Sequence, residues 1–396
     1  EQLSDSSAPP IRQVSIGVGD NAIKVGGETV MFRHEKTFFN KPGFAILITT
    51  DMDDDEIQKR FSKLGYLQYE RVGQVLKPEL VALKDTGNRE KFLAIVKKAC
   101  NEPYGIMLMS GNLDTMRAAL DISKENKPLI YAATLDNCEA FGSLAKEYSC
   151  PIAVKGQGLE GVSVLTDKLA GMGLKDIFID TSTREIKEGF QEQVIIRRAA
   201  LLNKVKSLGF PTITFPCEMT GDIMKEALIA SAFVAKYAGI IVLSDFSGEY
   251  LFPLLLQRMN IYTDPQRPMT TKEGIYPVNN PNENAPVLVT CNFSLTYFIV
   301  SGEIENSRVP TWLCVMDTEG LSVMTAWAAG KFVGDTVGAF IKKCGISEKI
   351  AHKKIVIPGY SAIIMGDLEE ELPGWGILIG PREAANIPSY LRALKI

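Results

Sequence analysis

The 396-residue sequence predicts an α/β protein, a (β/α)8 TIM barrel followed by a smaller, doubly wound, Rossmann-like domain. Eight apolar, β-rich runs alternate with amphipathic helical segments over residues 44–262. A stretch rich in Pro and Asn interrupts this alternation at 263–285, and a shorter β/α alternation resumes at 286–396. Continuous apolar strands that alternate with helices are typical of a parallel sheet covered on both faces.

Residues 1–43 are predicted to form an N-terminal segment with a hairpin that closes the barrel. The segment AIKVGGETVMF has short apolar runs on both sides of Gly26-Gly27, which predicts a hairpin that turns at these glycines. The opening EQLSDSSAPP has no secretory signal and no initiator Met. It is typical of a linker, so we expect this chain to lack an N-terminal piece.

The barrel is predicted from the count and spacing of the apolar runs. Amphipathic segments such as DDEIQKRFSKLG and NREKFLAIVKKAC separate them. Eight such units in about 220 residues match a fold that typically takes about 250 residues. The predicted strands are 44–49, 80–83, 105–109, 128–132, 151–154, 176–179, 212–215 and 239–243.

Residues 263–285 are predicted to be a linker without a regular element. Pro265, Pro268, Pro277 and Pro281 lie here, with a cluster of Asn between the last two. Proline lacks a backbone N–H and fixes φ, so this density of prolines interrupts helices and strands. The segment therefore marks a domain boundary.

The second domain is predicted to be an open α/β sheet over residues 286–396. Its strands are expected at 286–290, 311–316, 354–357 and 376–379, and its helices at 293–306, 321–343, 361–371 and 383–394. Ligands of such sheets bind beyond the carboxyl ends of the strands. The clusters TCNF, DTEG, PGYSA and GPREA follow the four strands, and none has GxGxxG or GxxxxGK[ST] spacing. A nicotinamide or nucleoside-triphosphate site is therefore disfavoured.

The start of the helix predicted at 321–343 carries two stripes at helical spacing. An apolar stripe assigned to the core consists of Leu321, Met324, Ala328 and Phe332. A second stripe of small residues consists of Ser322, Thr325, Ala326 and Ala329. Close packing against the sheet explains the second stripe about as well as a large, flat, neutral ligand does. Because the second stripe needs a partner of its own, the ligand is favoured.

Composition narrows the function classes. A formal net charge of −4 gives no reason to expect nucleic acid or an anionic membrane as a partner, and the longest apolar run is interrupted by Lys236. The seven cysteines are scattered and never in CxxC spacing, which favours a reducing cytoplasm over a disulfide framework or a zinc or iron–sulfur site.

Three long segments closely resemble a known family. They are VLVTCNFSLTYFIVSGEIE, DTEGLSVMTAWAAGKF and PGYSAIIMGDLEEELPGWGILIGPREAANIP, in this order after an eight-unit barrel. They resemble the large (gamma) subunit of the corrinoid iron–sulfur protein of the acetyl-CoA (Wood–Ljungdahl) pathway. The resemblance covers the chain from about Ile11 onward.

The resemblance implies a cytoplasmic methyl-group carrier, the methyltransferase component of an anaerobic carbon-fixation pathway. In the family, cobalt(I) of a cobamide, a cobalamin-type corrinoid, takes a methyl group from methyltetrahydrofolate on a separate methyltransferase. Methyl–cobalt(III) then gives it to acetyl-CoA synthase. The implied partners are the small subunit of the heterodimer, that methyltransferase, and acetyl-CoA synthase/CO dehydrogenase. The family's 4Fe-4S cluster lies in an N-terminal domain that we expect this chain to lack, because no cysteine precedes Cys100.

The resemblance also implies the site residues. Since the nucleophile is the cofactor's metal, no catalytic side chain and no protein ligand to a metal are expected. Only His34 and His352 occur, neither in a DxHxxG loop, so the cobamide is expected base-off without a protein histidine, with Thr325 nearest its lower axial face. The expected cofactor contacts are Thr290, Asn292, Thr296, Leu321, Ser322, Thr325, Ala326, Gly359, Tyr360, Ala362, Gly380, Arg382, Glu383 and Ala384.

Two alternatives stay open at the level of sequence. Barrels keep their chemistry at the carboxyl ends of their strands, and polar residues lie at these ends here: Asp51, Lys84, Asp85, Asn112, Lys155, Asp180, Glu218 and Asp245. The chain could therefore be a pterin-binding (β/α)8 methyltransferase with an accessory domain. It could also be a structural subunit whose second domain only docks partners, because a fold alone does not decide function.

Overall fold

The computed structural model describes residues 8–71, 74–264 and 268–395, so the expectations for residues 1–7 and Pro265 lie outside the described residues. The chain forms two compact units. The first comprises the residues up to Tyr69 and Val75–Thr263, and the second comprises Glu70–Gln74 and the residues from Asp264 on. Within the described ranges, none of the helices has the length and apolar character needed to cross a membrane.

The N-terminal hairpin exists, but its predicted turn is wrong. β1 (Val14–Ile16) pairs with β2 (Ile23–Val25) in antiparallel fashion, so the chain reverses between these strands and not at Gly26-Gly27. Both glycines do have positive φ, +77° and +79°. Their role is close approach, because a Cβ on Gly26 would lie 2.2 Å from the carbonyl oxygen of Arg12.

Eight parallel strands of the first unit form one sheet, and all eight predicted runs are confirmed. The sheet order is β10-β9-β8-β7-β6-β3-β12-β11. It closes between β10 and β11, where the Ile179 N–H donates to the Pro211 carbonyl at 2.9 Å. The strands after the hairpin are β3 (Gly43–Thr49), β4 (Tyr69–Arg71), β5 (Gln74–Leu76), β6 (Leu80–Lys84), β7 (Gly105–Met109), β8 (Leu129–Ala133), β9 (Ile152–Lys155), β10 (Ile177–Asp180), β11 (Ile213–Thr214) and β12 (Ile240–Leu243).

Helices surround this barrel and cover its outer face. Successive strand residues point to opposite faces of the sheet, so each strand has side chains toward the barrel interior and side chains toward the helices. On β3, Phe44, Ile46 and Ile48 pack against the outer helices, while Ala45 and Leu47 pack inside the barrel. The helices are α1 (Asp54–Tyr66), α2 (Arg89–Ala99), α3 (Leu113–Ser123), α4 (Cys138–Glu147), α5 (Gly158–Gly171), α6 (Ile186–Leu201), α7 (Ile223–Ala235) and α8 (Gly248–Ile261).

A buried ion pair ties the last barrel helix to the first strands. The guanidinium of Arg258 on α8, with a side chain only 1% exposed, donates to both carboxylate oxygens of Glu79 at 2.7 and 2.8 Å. It also donates to the carbonyl oxygens of Pro42 at 2.8 Å and Lys77 at 3.0 Å. These carbonyls precede β3 and β6, so one side chain secures the amino ends of two neighbouring strands.

The second unit contains a five-stranded sheet in the order β13-β15-β14-β16-β17. The four predicted strands are confirmed. The expectation that 263–285 holds no regular element is wrong, because β13 lies within it and pairs antiparallel with β15 at the sheet edge. The strands are β13 (Gly274–Val278), β14 (Val287–Cys291), β15 (Thr311–Met316), β16 (Lys354–Ile357) and β17 (Gly376–Ile379).

Pro277 is compatible with β13 because of its place in the ladder. It lies opposite Trp312, whose N–H donates to the Pro286 carbonyl on the other side of β15. The pair Pro277–Trp312 therefore makes no hydrogen bond across β13 and β15. The N–H that proline lacks is not needed at an edge strand.

The single helix predicted over 321–343 is also wrong, since two helices replace it. The break follows Ala329, where Gly330 has a φ of +71°. The Gly330 and Lys331 N–H groups donate to the Trp327 and Ala326 carbonyls at 2.9 and 2.7 Å, the pattern of a glycine-terminated helix. The helices of the unit are α9 (Ser294–Ser307), α10 (Val323–Ala328), α11 (Gly334–Lys343), α12 (Met365–Glu371) and α13 (Ile387–Ala393).

The ion pair between Arg258 and Glu79 is expected to stabilise the barrel. Glu79→Gln leaves the buried guanidinium without its counter-charge, so we expect the free energy of unfolding to fall by about 3–5 kcal/mol. Urea denaturation measures this loss. The matched control is Glu147→Gln, which removes the partner of Arg117 in a pair that is about half exposed, where less than about 1 kcal/mol is expected. Equal urea midpoints for the two variants would contradict a stabilising role for the ion pair between Arg258 and Glu79.

Candidate functional site

The carboxyl edge of the five-stranded sheet has a switch point between β14 and β16. α9 and α13 pack on one face of the sheet, where Ile304 and Ile387 belong to one buried core. α10, α11 and α12 pack on the opposite face, where Ala326, Phe340 and Leu368 belong to another. The connections that follow β14 and β16 leave to opposite faces, which opens a crevice between them. Such a crevice is the usual ligand site of an open α/β sheet.

A cavity of about 250 Å³ occupies this crevice. β14 and β16 contribute apolar side chains, and the loops that follow the strands contribute hydroxyl groups and backbone. Among the described residues of the lining, Arg382 is the one with a charged side chain. The lining consists of Leu288, Val289, Thr290, Thr296, Val300, Ser322, Val323, Met324, Val356, Ile357, Pro358, Tyr360, Gly380, Pro381, Arg382, Ala384 and Ile387.

Thr290 brings an unpaired polar group to this lining. The residue is 2% exposed, and its hydroxyl oxygen has no hydrogen-bond partner among the residues that the structure describes. A buried hydroxyl left unpaired costs about 1–3 kcal/mol, so native proteins rarely keep one without a reason. A polar atom of a ligand, or a water molecule, would satisfy it from the cavity.

Seven of the fourteen residues expected to bind the cofactor line the cavity. They come together because β14, β16 and β17 are neighbours in the sheet, so that their carboxyl ends share one edge. The seven are Thr290, Thr296, Ser322, Tyr360, Gly380, Arg382 and Ala384.

The other seven lie outside the lining. Ala326 is fully buried in the core with Phe332, so it cannot contact a ligand, which corrects the expectation for this residue. Leu321 packs against the same core, and Ala362 is half-buried in the 3₁₀ segment Gly359–Ile364. The remaining four are Asn292, Gly359 and Glu383, which follow strands of the sheet, and Thr325, which lies on α10.

The two stripes at the start of α10 are arranged differently from the expectation. Met324, assigned to the core, is 42% exposed and lines the cavity, while Ala326 is the buried residue. Thr325 is exposed, and its hydroxyl group lies 3.0 Å from that of Ser322. The two stripes were assigned as if one helix continued through Gly330. Because the helix ends before this residue, that assignment gave α10 the wrong buried face.

Sequence reasoning missed several lining residues on helices. Val300 lies four residues after Thr296 on α9, and Ile387 begins α13. Residues four apart share one face of a helix, so the i, i+4 relation between Thr296 and Val300 was a usable signal. Ile387 offered no comparable signal, because its place depends on how α13 packs against the sheet.

Asn292 is a buried residue whose side chain holds neighbouring loops together. Its side-chain oxygen accepts from the N–H and the hydroxyl of Thr318 and from the Gly320 N–H, each at 3.0 Å. Its side-chain nitrogen donates to Asp317 at 2.7 Å, and its carbonyl oxygen accepts from the Thr271 N–H at 2.8 Å. One residue therefore ties the loop after β14 to the loop after β15 and to the segment before β13.

Two loops meet on the other side of the cavity at Gly359. A Cβ there would lie 2.6 Å from the carbonyl oxygen of Gly380 and 2.8 Å from the nitrogen of Arg382, so the loops after β16 and β17 touch at backbone distance. The Tyr360 hydroxyl donates to Glu383 at 2.8 Å. This hydrogen bond raises the pKa of Tyr360 above its ordinary value, and the phenol stays neutral at physiological pH.

Neither histidine is among the described residues that line this cavity. His352 precedes β16, at the opposite edge of the sheet, where one ring nitrogen lies 3.0 Å from the Ala285 carbonyl and the other accepts from the Lys354 N–H at 3.1 Å. His34 belongs to the first unit and stacks on Phe32. Among the described residues, no three His, Cys, Asp or Glu side chains are grouped so that they could hold a metal ion.

Charged groups at the carboxyl end of the barrel are committed to one another. Asp180, 1% exposed, accepts from the Tyr131 hydroxyl at 2.5 Å, from the Ser182 N–H at 2.9 Å and from two nitrogens of Arg184 at 3.0 Å. Burial alone would raise the pKa of Glu218, but the hydrogen bond and charge of Arg184 and the charge of Lys84 lower it. The acceptors here are thus occupied within the chain.

The bracing role of Asn292 predicts a local loss of stability. Asn292→Ala leaves the Thr318 and Gly320 N–H groups buried without acceptors, so we expect the second unit to lose about 2–4 kcal/mol. Hydrogen exchange at Gly320 and Leu321 should accelerate in parallel. The matched control is Asn284→Ala, an exposed residue of the same unit, with an expected change within about 0.5 kcal/mol. Unchanged exchange at Gly320 would contradict this role.

Relatives of this chain are similar to it over nearly its full length. The corrinoid/iron-sulfur protein large subunit of Moorella thermoacetica is 39% identical over 395 residues, covering 99% of this chain and 88% of the relative. The acetyl-CoA decarbonylase/synthase complex subunit gamma of Methanopyrus kandleri is 36% identical over 405 residues, covering 99% and 87%. The gamma subunit of Archaeoglobus fulgidus is 34% identical over 403 residues, covering 99% and 86%.

Two solved structures are similar to part of the chain. Dihydropteroate synthase from Thermus thermophilus in complex with 6HMPPP has a TM-score of 0.44 at 9% identity, covering 63% of this chain and 99% of that one. A truncated 3-deoxy-D-arabino-heptulosonate 7-phosphate synthase from Thermotoga maritima has a TM-score of 0.44 at 14% identity, covering 62% and 91%.

One family model matches residues 13–391 of the chain. The family is described as CO dehydrogenase/acetyl-CoA synthase delta subunit. That range contains every strand from β1 to β17 and hence both compact units. The chain therefore belongs to the family of the CO dehydrogenase/acetyl-CoA synthase delta subunit.

Proposed function

We propose that this chain is a corrinoid-dependent methyl-group carrier whose second unit binds a cobamide. The observation that carries the proposal is the largely apolar cavity at the switch point, where the buried Thr290 hydroxyl has no partner among the described residues. The name of the Moorella thermoacetica relative, a corrinoid/iron-sulfur protein large subunit, supports a corrinoid as the ligand.

The size of the cavity limits which part of a cobamide it takes. Sites that enclose a drug-sized ligand have volumes of about 300–1,000 Å³, whereas this cavity has about 250 Å³. We assign the cavity to the heterocycle of the lower tail, held between the apolar side chains of β14 and β16. The Thr290 hydroxyl would then bond a polar atom of the tail, and the corrin ring would lie outside, against the start of α10.

The start of α10 offers only weak, neutral groups to the lower face of a corrin ring. Ser322 and Thr325 bond to each other at 3.0 Å, and both ring nitrogens of His352 are engaged at the opposite edge of the sheet. We therefore propose a base-off cofactor without a protein imidazole, with Thr325 nearest the cobalt. The identity of the axial ligand is a main determinant of the redox potential of a metal cofactor.

When bound, the corrinoid supplies a cobalt that accepts a methyl group and passes it on. The residues of this chain hold and orient the cofactor: Asn292 fixes the loop that presents Ser322 and Thr325, and Gly359 joins the two loops on the far side of the cavity. No proton transfer is assigned to the side chains around the cavity, because the described residues of its lining are uncharged except for Arg382.

Partners are part of the same proposal. The large-subunit and complex-subunit names of the relatives support a small subunit and an acetyl-CoA synthase as partners, and methyl transfer also requires a methyltetrahydrofolate methyltransferase. Leu295 on α9 is 58% exposed, and Ile363 after β16 is 70% exposed. Exposed apolar side chains next to a ligand site favour a covering protein surface. A cytoplasmic location completes the proposal, since all seven cysteines are free thiols.

The pterin-binding alternative is less well supported by the barrel itself. Asp180, the buried carboxylate at its carboxyl end, already accepts four hydrogen bonds from Tyr131, Ser182 and Arg184. A pterin would need such an acceptor to be free for its ring nitrogens. The docking-subunit alternative is separated from cofactor binding by the first variant below.

A bulky side chain in the cavity is expected to prevent binding of the cofactor. Ala384→Trp places an indole in the lining, so we expect at least a tenfold fall in the corrinoid bound per mole of protein, measured from the visible absorption spectrum after anaerobic reconstitution. The control is Ala385→Trp, which changes the adjacent, exposed alanine outside the lining and should keep its cofactor. Equal corrinoid content in the two variants would favour the docking subunit.

Adding a ligand below the cobalt predicts a spectroscopic change. Thr325→His supplies an imidazole at the proposed lower face, so the electron paramagnetic resonance spectrum of the cobalt(II) form should gain nitrogen splitting. Asn284→His, at an exposed position before β14, should leave the spectrum unchanged. Nitrogen splitting already present in the unmodified protein would contradict the proposed base-off state.

A further inference from the structure

A second, larger cavity lies in the first unit, at the amino ends of β3, β6 and β7. It has a volume of about 650 Å³, and the hairpin residues 19–24, the loop 39–43 and the segment 75–79 form most of its wall. Barrels of this type carry their catalytic groups at the carboxyl ends of the strands. This cavity is at the other end, so it is separate from the ion network around Asp180.

Three lysines line this cavity: Lys24, Lys41 and Lys77. Their carboxylate neighbours in the lining are Asp20 and Glu79. Among the described residues, no ion pair within 4.0 Å is formed by Lys24, Lys77 or Asp20, while Lys41 lies 3.6 Å from Glu79. The described residues of the lining therefore carry more positive than negative charge, even before Arg258, which contacts Glu79, is considered.

Glu79 cannot balance the lysines, because the buried Arg258 occupies it. Both of its carboxylate oxygens accept from the Arg258 guanidinium, at 2.7 and 2.8 Å. A guanidinium that is 1% exposed needs this whole counter-charge. Asp20, whose side chain is exposed, is thus the one uncommitted negative charge among the described residues of the lining.

The lysines also influence each other electrostatically. Burial lowers the pKa of Lys41, and the positive charges of Arg258 and Lys77 lower it further, against the opposing effect of Glu79. Lys77 is half-buried and also lines the cavity. Positive charges that converge on a concave surface repel one another, and a bound anion relieves this repulsion.

We propose that this cavity is a binding site for a phosphate-bearing organic anion, held by the ammonium groups of Lys41 and Lys77. Lysine binds phosphate as a point charge. The volume lies within the range of small-molecule sites, about 300–1,000 Å³, which leaves room for more than an inorganic phosphate. Phe39 and Tyr262 in the wall supply aromatic surface for the organic part, and the Tyr262 hydroxyl makes no hydrogen bond to a described residue.

This site is independent of the proposed cobamide site, because its residues all belong to the first unit. Binding is measured by isothermal titration calorimetry of the full chain, without corrinoid, with inorganic phosphate, pyrophosphate and ADP in turn. We expect one site per chain, with pyrophosphate and ADP bound more tightly than phosphate. A lost charge-assisted hydrogen bond weakens binding by about tenfold or more, so Lys41→Gln and Lys77→Gln should each raise the Kd of pyrophosphate about tenfold.

The matched control is Lys187→Gln, an exposed lysine on α6 that does not line the cavity, and it should leave the Kd unchanged. Circular dichroism and the unfolding temperature without ligand verify that each variant is folded. The proposal is overturned if none of the three probes binds at millimolar concentration, if the lysine variants bind as tightly as the unmodified chain, or if an acidic peptide binds and the small anions do not.

Discussion

The carboxyl edge of the sheet in the second unit depends on the carboxamide of Asn292. Its oxygen accepts three hydrogen bonds from Thr318 and Gly320, its nitrogen donates to Asp317, and its backbone carbonyl accepts from Thr271. A buried backbone N–H without an acceptor is costly, so the loop after β15 has one favourable position. That position sets where α10 begins, and hence where Ser322 enters the cavity wall.

The remaining wall follows from sheet topology and from backbone contact. Neighbouring strands β14, β16 and β17 end at one edge, and Gly359 lets the loops after β16 and β17 touch without an intervening side chain. The crevice that remains is neutral apart from Arg382, in contrast to the barrel, where Asp180 and Glu218 are paired with Arg184. The two places therefore differ in chemistry: the described lining of the crevice has one charged side chain, and the carboxylates of Asp180 and Glu218 at the carboxyl end of the barrel are paired.

The strands were predictable because buried parallel strands are continuous apolar runs that contain their own signal. β13 was missed because Pro277 argues against a strand, and only its position opposite Trp312 at an edge makes it acceptable. Part of the cavity lining was predictable as a set of strand ends, which yielded Thr290 and Ala384. The exchange of roles between Met324 and Ala326 was not, because it depends on the helix break at Gly330. The role of Asn292 was hidden for a related reason, since its partners are close in space and distant in the chain.

The central claim is that the second unit seats a corrin ring at the start of α10. Its most direct test is an anomalous difference map at the cobalt absorption edge, from crystals of the chain reconstituted with cobalamin under reducing conditions. The account predicts one strong peak above Ser322 and Thr325, with density for the lower-tail heterocycle beside Thr290. A peak at the carboxyl end of the barrel, or cobalt bound to His34 or His352, would contradict it.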